Sequence, residues 1–473
     1  MSHLQRDKRS PRRANANSPL RSPAALLLAL APMQACTDDV VDPLDPVGPD
    51  DPVQTGLVAT VRELAREQDL RPVTLPAPVR GELVTLGRAL AFDKILSGNR
   101  DVSCMTCHLP TFATGDGKSL PVGQGGEGLG PDRTHPDGQF TLRHSLALFN
   151  LHRVRKFFWD GRLEELDDGS IGSPAGEHLT SEMEAVLEFG AVSAAGLFPV
   201  SSREEMLGPG NELAEVPDGN FTELWSRIMA RLGTIDEYRE LFESAYPGTS
   251  FDDMTFAHAS NAIGGFFASS FSFSDSPWDR FLGGDDDQLA EAQLRGARNF
   301  MTVGCTKCHQ TDVLDARPGN EFHNDALAQF GPGQGDGPTG TDDFGRERAT
   351  GDPEDRRRFK TPPLRNVELT APYGHVGQFV TLRGFVEHYN NVDSTLVAYD
   401  VSQVEALLRP TLLHNYDEIL ATRDTMLLPI RLEEAEVDDL IEFLKALTDD
   451  AARDLSAVTP ASVPSGLPID RSR

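Results

Sequence analysis

Cysteine is scarce in this chain, five among 473 residues. No second Cys pair lies near either of its two Cys-x-x-Cys sequences, so neither can assemble the four ligands that zinc needs. Basic residues are outnumbered, 44 Lys and Arg against 73 Asp and Glu, for a formal charge of −29. Such a surface repels phosphates and argues against nucleic acid as a partner; it either steers a small basic protein towards itself or serves solubility alone. Aromatic residues make up only 7%, and 42 glycines with 33 prolines point to long loops. Strand-like alternation is almost absent, and no segment after residue 35 stays apolar for long enough to cross a bilayer.

Four of the five cysteines fall in one pattern used twice: Cys104-Met105-Thr106-Cys107-His108 and Cys305-Thr306-Lys307-Cys308-His309. Cys-x-x-Cys-His is the attachment signature for haem c. Its two thiols add across the porphyrin vinyl groups, and the adjoining His takes the iron from one face. A dithiol enzyme has no use for that His, and both copies keep it. The motifs are too far apart for one small cytochrome fold. Each haem is therefore expected to have its own domain, in line with the length prior for 473 residues. Two covalently bound haems make redox chemistry the expected function.

Residues 1–35 read as a signal peptide: Arg6, Lys8, Arg9, Arg12, Arg13 and Arg21 precede a short apolar run, Ala24 to Ala31. Cys36 stands where a bacterial lipoprotein signal places its lipidated Cys, so a lipid anchor there is the one membrane attachment expected. Plain secretion and a misassigned start codon are the alternatives. Residues 36–56, rich in Asp and Pro, read as an extended tether. Export to the periplasm or cell envelope agrees with the haem reading, because bacteria attach haem c outside the cytoplasm.

Helical periodicity is the commonest local signal. Leu83, Leu86, Leu90 and Phe92 make an apolar stripe just before the first motif, and Leu289, Leu294, Ala297 and Phe300 do the same before the second. Helices are also expected over 221–245, 256–271 and 433–447, the last with Val437, Leu440, Ile441, Leu444 and Leu447 on one face. Ile263, Phe266 and Phe267 are expected to pack a core rather than touch a cofactor. Residues 277–287, acidic and Gly-bearing, read as a hinge. The fold class is mostly α: two cytochrome c-like haem domains, 57–280 and 281–450, with long irregular loops and a disordered tail, 451–473.

Three segments go beyond a generic cytochrome: Phe158-Trp159-Asp160-Gly161-Arg162, Lys360-Thr361-Pro362-Pro363-Leu364-Arg365-Asn366-Val367 and Thr370-Ala371-Pro372-Tyr373-Gly374-His375. Through them the chain resembles, from about Leu83 to Leu447, the bacterial di-haem cytochrome c peroxidase family, which includes MauG-type enzymes. The resemblance implies a peroxide-reactive haem in the N-terminal unit and an electron-relay haem in the C-terminal one. It makes Trp159 the indole relay between them; plain packing beside Phe157 and Phe158 is the alternative. It puts Gln124, not His, at the distal position of the first haem, whose iron is then open to peroxide. His135 and His144 lie nearby but off the spacing. It puts Tyr389 at the distal position of the second haem, where a phenolate favours ferric and higher states. Met301 and Met426 are fallback ligands there. His375 is expected near that haem, on a propionate. Glu205 is the counterpart of the Glu that moves a proton between the peroxide oxygens, with Glu182 as its competitor. The Gln that accompanies this Glu falls at Gly169. Thr370 and Pro372 match the backbone-carbonyl ligands of a calcium ion between the haems, although the Asn from the first half becomes His144, a poor partner for that ion.

The implied activity is that of an exported di-haem c-type peroxidase. Hydrogen peroxide is reduced at the N-terminal haem, with electrons relayed through the C-terminal haem from a small cytochrome c or cupredoxin. Gln124 and Tyr389 lean towards the MauG-like mode, in which side chains of a partner protein are oxidised. A di-haem electron-transfer protein without peroxide turnover is the alternative. It would have two six-coordinate low-spin haems and no use for Glu205.

Overall fold

The computed structural model of this protein describes residues 52–471. The expected signal peptide, Cys36 and most of the expected tether lie outside the described residues. The tether ends earlier than expected, because α1 (Pro52–Glu67) already covers its last residues. Pro52 opens that helix, where a missing N–H is no loss. Further helices are α2 (Gly81–Phe92), α3 (Phe221–Leu232), α4 (Asp236–Ala245), α5 (Phe256–Ser270), α6 (Glu291–Val303), α7 (Leu382–Asn390) and α8 (Glu434–Lys445). Among the described residues, strand is confined to short antiparallel pairings. β1 (Lys156–Phe157), β2 (Leu163–Glu165) and β3 (Ile171–Gly172) form one sheet, with Phe157 opposite Leu163 and Glu165 opposite Ile171. β4 (Phe322–His323) pairs with β5 (Phe359–Lys360), His323 opposite Phe359.

Of four hydrophobic clusters among the described residues, the two largest organise these helices. Leu83, Leu86 and Phe92 of α2 meet Ile228, Phe242 and Phe266 of α3, α4 and α5 in the first. Leu294 and Phe300 of α6 meet Leu440 and Phe443 of α8 in the second. The helix leading into each Cys-x-x-Cys-His motif is seated in the same way. A Cβ on Gly87 would stand 1.8 Å from the carbonyl oxygen of Ala262 in α5, and one on Gly296 would stand 1.9 Å from that of Asp439 in α8. Any side chain there would push the helices apart, so only glycine allows the seat.

Three expectations are corrected. α1 belongs with the second core, through Val61 and Ala65, because it packs on α6. Residues 277–282 are a helix rather than a hinge, with Trp278 fully buried edge-on against Phe443 at 5.0 Å between ring centroids. Residues 451–471 are not a disordered tail: Ala452, Leu455 and Val463 enter the first core. Their apolar residues are spaced too irregularly for a helical or strand period, so only burial reveals them. No helix among the described residues is long and apolar enough to cross a membrane.

Candidate active site

Cys104–Cys107 is a single helical turn, and the Ser103 N–H that precedes it donates to Thr106 Oγ1 at 2.9 Å. The turn presents two thiols that have no disulfide partner, as do Cys305 and Cys308. His108 Nδ1 lies 2.9 Å from the carbonyl oxygen of Thr114, and His309 Nδ1 lies 2.6 Å from that of Leu314. A carbonyl only accepts, so Nδ1 carries the proton in both rings and Nε2 keeps its lone pair. Burial holds both imidazoles neutral, pushing His108 down and His309 down to about 4. Thr114 and Leu314, which present these carbonyls, have φ of 65° and 59°. A left-handed non-glycine residue costs about 1–3 kcal/mol. Both copies of the motif carry that strain, and in both it orients the ring.

Both motifs open on one continuous cavity of about 1360 Å³, whose wall includes all four cysteines, His108, His309, Trp159, Glu205, His375, Thr370, Pro372 and Tyr389. An ordinary small-molecule pocket holds roughly 300–1,000 Å³. Unpaired thiols, neutral imidazoles with an available Nε2 and a cavity of this size fit two covalently attached haems. Cys104, Cys107 and His108 would hold one, and Cys305, Cys308 and His309 the other.

The FWDGR segment makes a tight turn, with Phe158 and Gly161 both at φ 64°. Trp159 is buried inside it, and its carbonyl accepts the Lys360 N–H at 2.8 Å, tying the turn to β5. The indole stands edge-on to His375 at 6.4 Å between centroids, and His375 stacks on Phe359 at 3.6 Å. Burial pushes His375 down to about 3, so that ring is neutral. Asp160 accepts from Arg143 Nη1 at 2.7 Å, and Arg143 also grips Asp343 with two bonds of 2.7 and 2.8 Å. Burial pushes Asp160 up, but Arg143 and Arg162 overcome it and hold the carboxyl down at about 2.

Glu205 sits in a π-type turn, Arg203–Leu207, of the kind that often marks a functional position. Burial raises its pKa, with Arg162 only partly opposing. Glu182, its competitor, is exposed and off the cavity wall. Gln124 is turned away, accepting Asn99 Nδ2 at 2.8 Å, and its N–H donates to the Glu205 carbonyl at 2.9 Å. His135 is off the wall, and Gly169 lies in the exposed turn between β2 and β3. His144 is on the wall, its Nδ1 3.1 Å from the carbonyl oxygen of Lys118 and 3.2 Å from that of Ser119.

Tyr389, on α7, reaches the wall beside the second motif and donates its hydroxyl to Asp325 Oδ2 at 3.2 Å. Burial and then the Asp325 carboxylate push the phenol well above its usual value, and burial lifts Asp325 to about 6. Met426 shares this wall, whereas Met301 is packed in the second core. Ile263 and Phe267, expected to pack only a core, also line the cavity. No cluster of three or more His, Cys, Asp and Glu that could hold a metal ion occurs among the described residues. Sequence reasoning missed Asp325, Arg143 and Asp343. None stands in a motif, and their one sequence signal, a charge inside a Gly-rich or loop region, is shared by dozens of solvated residues.

The fold and the site define a di-haem c-type protein. The family model described as di-haem cytochrome c peroxidase matches residues 81–287. The chain is 29% identical over 347 residues to cytochrome c peroxidase Ccp of Escherichia coli K12, covering 72% of this chain and 61% of that protein. It is 28% identical over 400 residues to the methylamine utilization protein MauG of Paracoccus denitrificans, covering 79% of this chain and 90% of that one. Among solved structures, a MauG-like protein associated with microbial copper homeostasis is similar at a TM-score of 0.55 and 26% identity, over 83% of this chain and 96% of its own. Over residues 81–287 the chain is similar to di-haem cytochrome c peroxidases, and its relatives include peroxidases of that kind and MauG proteins.

Proposed function

We propose that this protein is an exported peroxidase that reduces hydrogen peroxide at the first motif, with electrons relayed through the second from an external donor. Haem, when bound, supplies the redox chemistry at both motifs. The chain supplies the proton handling and the path between them. Glu205 takes a proton from one peroxide oxygen and returns it to the departing one, and burial, which raises its pKa, strengthens it as a base. Two electrons and two protons turn one peroxide into two waters. Trp159 offers an oxidisable indole on the wall shared by the two motifs. The acidic surface favours a small basic cytochrome c or cupredoxin as donor.

The reading is carried by Glu205, a half-buried carboxyl on the cavity wall near Cys104 and Cys107 that simple electron transfer would not need. A second substrate mode, oxidation of a partner protein's side chains, is favoured by Gln124 turned onto Asn99 and by Tyr389 beside the second motif. A calcium ion on the carbonyls of Thr370 and Pro372 belongs to the same reading, supported by their position on the shared wall. The setting is the periplasm or cell envelope, with a lipid anchor at Cys36.

The ferric optical spectrum tests this reading. One high-spin signal that changes on adding peroxide, followed by donor oxidation, is expected. Two low-spin haems inert to peroxide would instead mean electron transfer alone.

A further inference from the structure

The C-terminal segment returns to the back of the first motif and is anchored there twice. Leu455 and Val463 are buried in the first core, and Leu467 and Ile469 pack against it. Ser465 Oγ donates to Asp93 Oδ1 at 2.6 Å, and the other oxygen of that carboxylate accepts the Tyr238 hydroxyl at 2.6 Å. The second anchor is Asp470. Its Oδ1 lies 2.6 Å from Lys94 Nζ, and its Oδ2 accepts the Thr106 hydroxyl at 2.5 Å. Both charged side chains are largely shielded, Lys94 at 14% and Asp470 at 9% exposure.

Thr106 lies inside the first Cys-x-x-Cys and is fully buried. Its hydroxyl therefore joins the motif's capping bond to a carboxylate 364 residues further along the chain. The same position in the second motif is Lys307, which is exposed. The device exists at one motif only. A charge held in a shielded site acts on its neighbours far more strongly than one in water.

We propose that residues 450–471 are a strap on the first haem motif, in which Asp470 and Lys94 are positioning residues whose opposite charges bias the redox potential of the haem attached there. A carboxylate beside that group favours its oxidised, more positive state, and an ammonium disfavours it. The proposal rests on haem attachment at Cys104 and Cys107.

The test is a spectroelectrochemical titration of full-length matured protein and its variants Asp470→Asn, Asp470→Glu and Lys94→Met, with haem content measured in parallel. Asp470→Asn is expected to raise the midpoint of one haem and Lys94→Met to lower the midpoint of the same haem. Asp470→Glu should keep it near the starting value, and the other haem should not move. A merely structural strap would shift Asp470→Asn and Lys94→Met in the same direction, and that result overturns the proposal. So does an unchanged potential in variants carrying two haems, which leaves the peroxidase reading intact. If Asp470→Asn does not mature, Lys94→Met and Asp470→Glu still decide, by a lowered midpoint in the first and none in the second. Unsubstituted protein with fewer than two haems would overturn both readings.

Discussion

Trp159 donates its indole N–H to the carbonyl oxygen of His144 at 2.8 Å, and the His144 N–H donates in turn to the carbonyl of His375 at 2.9 Å. A buried indole N–H needs such an acceptor, and the bond fixes the plane of the ring. Trp159→Phe keeps the aromatic bulk but removes the donor and the easily oxidised indole. The variant should fold with both haems, yet lose at least about tenfold in peroxide-driven donor oxidation, about 1.4 kcal/mol on the barrier. Equal steady-state rates would leave Trp159 as packing beside Phe157 and Phe158.

Glu205→Gln keeps the size of the side chain and removes the proton acceptor. A fall in kcat of about 10²–10⁴ is expected, with haem content unchanged. The unsubstituted enzyme should lose activity as pH falls through the raised pKa of Glu205, because only the carboxylate accepts a proton. That acidic limb should lie above the ordinary glutamate value of 4.5. A pH–rate profile whose limb survives in Glu205→Gln assigns it to another group.

Cys104→Ala with Cys107→Ala should leave one covalent haem per chain, and adding Cys308→Ala with Cys305→Ala should leave none. Haem staining after denaturing electrophoresis and the haemochrome absorbance per chain report this directly. Retention of two covalent haems in the first variant would remove the basis of the whole reading.

Tyr389 and Asp325 form a pair that a spectrum can separate. Tyr389→Phe should alter the ferric absorption of one haem and spare the other. Asp325→Asn keeps the phenol but removes the carboxylate oxygen that accepts its proton at 3.2 Å, so a smaller change in the same haem is expected. A spectrum untouched by Tyr389→Phe would move attention to Met426, which shares the wall.

Arg143 is the cation of a buried cluster with Asp160 and Asp343, all three side chains at most 7% exposed. Breaking a buried pair leaves charge uncompensated and costs about 3–5 kcal/mol, so Arg143→Met should destabilise the protein by roughly that much at neutral pH. Asp160 is held down at about 2 against an ordinary 3.8, and Asp343 is shifted in the same direction. A depressed carboxyl stabilises the fold fully above its unfolded value, and the contribution fades as pH falls through the folded one. The gap in urea midpoint between parent and Arg143→Met should therefore close as pH falls from about 4 to about 2. A gap independent of pH would mean the cost is packing alone.

Much of this molecule is legible in its residues. The stripes at Leu83–Phe92 and Leu289–Phe300 became α2 and α6, with Leu289 just ahead of α6, because a period of three to four apolar positions is a property of a single helix. Cys104–His108 and Cys305–His309 came to one cavity, and Trp159, Glu205 and Tyr389 share its wall. The misses share a cause. Residues 451–471 have no period, since they make short 3₁₀ turns and crevice contacts, so their sequence alone resembles a tail. The acidic, Gly-bearing stretch after residues 277–282 suggests a hinge, while Trp278 and Phe281 anchor the helix in the second core. Asp325 and Asp343 looked like any acidic residue of an acidic chain.

The residues alone decided what can be bonded here: two pairs of thiols, each followed by an imidazole, whose reactivity depends on atoms within one turn of chain. Tertiary structure decided which way each imidazole faces, which carboxyl lines the cavity near Cys104 and Cys107, and that Asp470 closes on Thr106. Those outcomes depend on desolvation and pairing between segments brought together from far apart in the chain, and no local pattern of side chains carries that information.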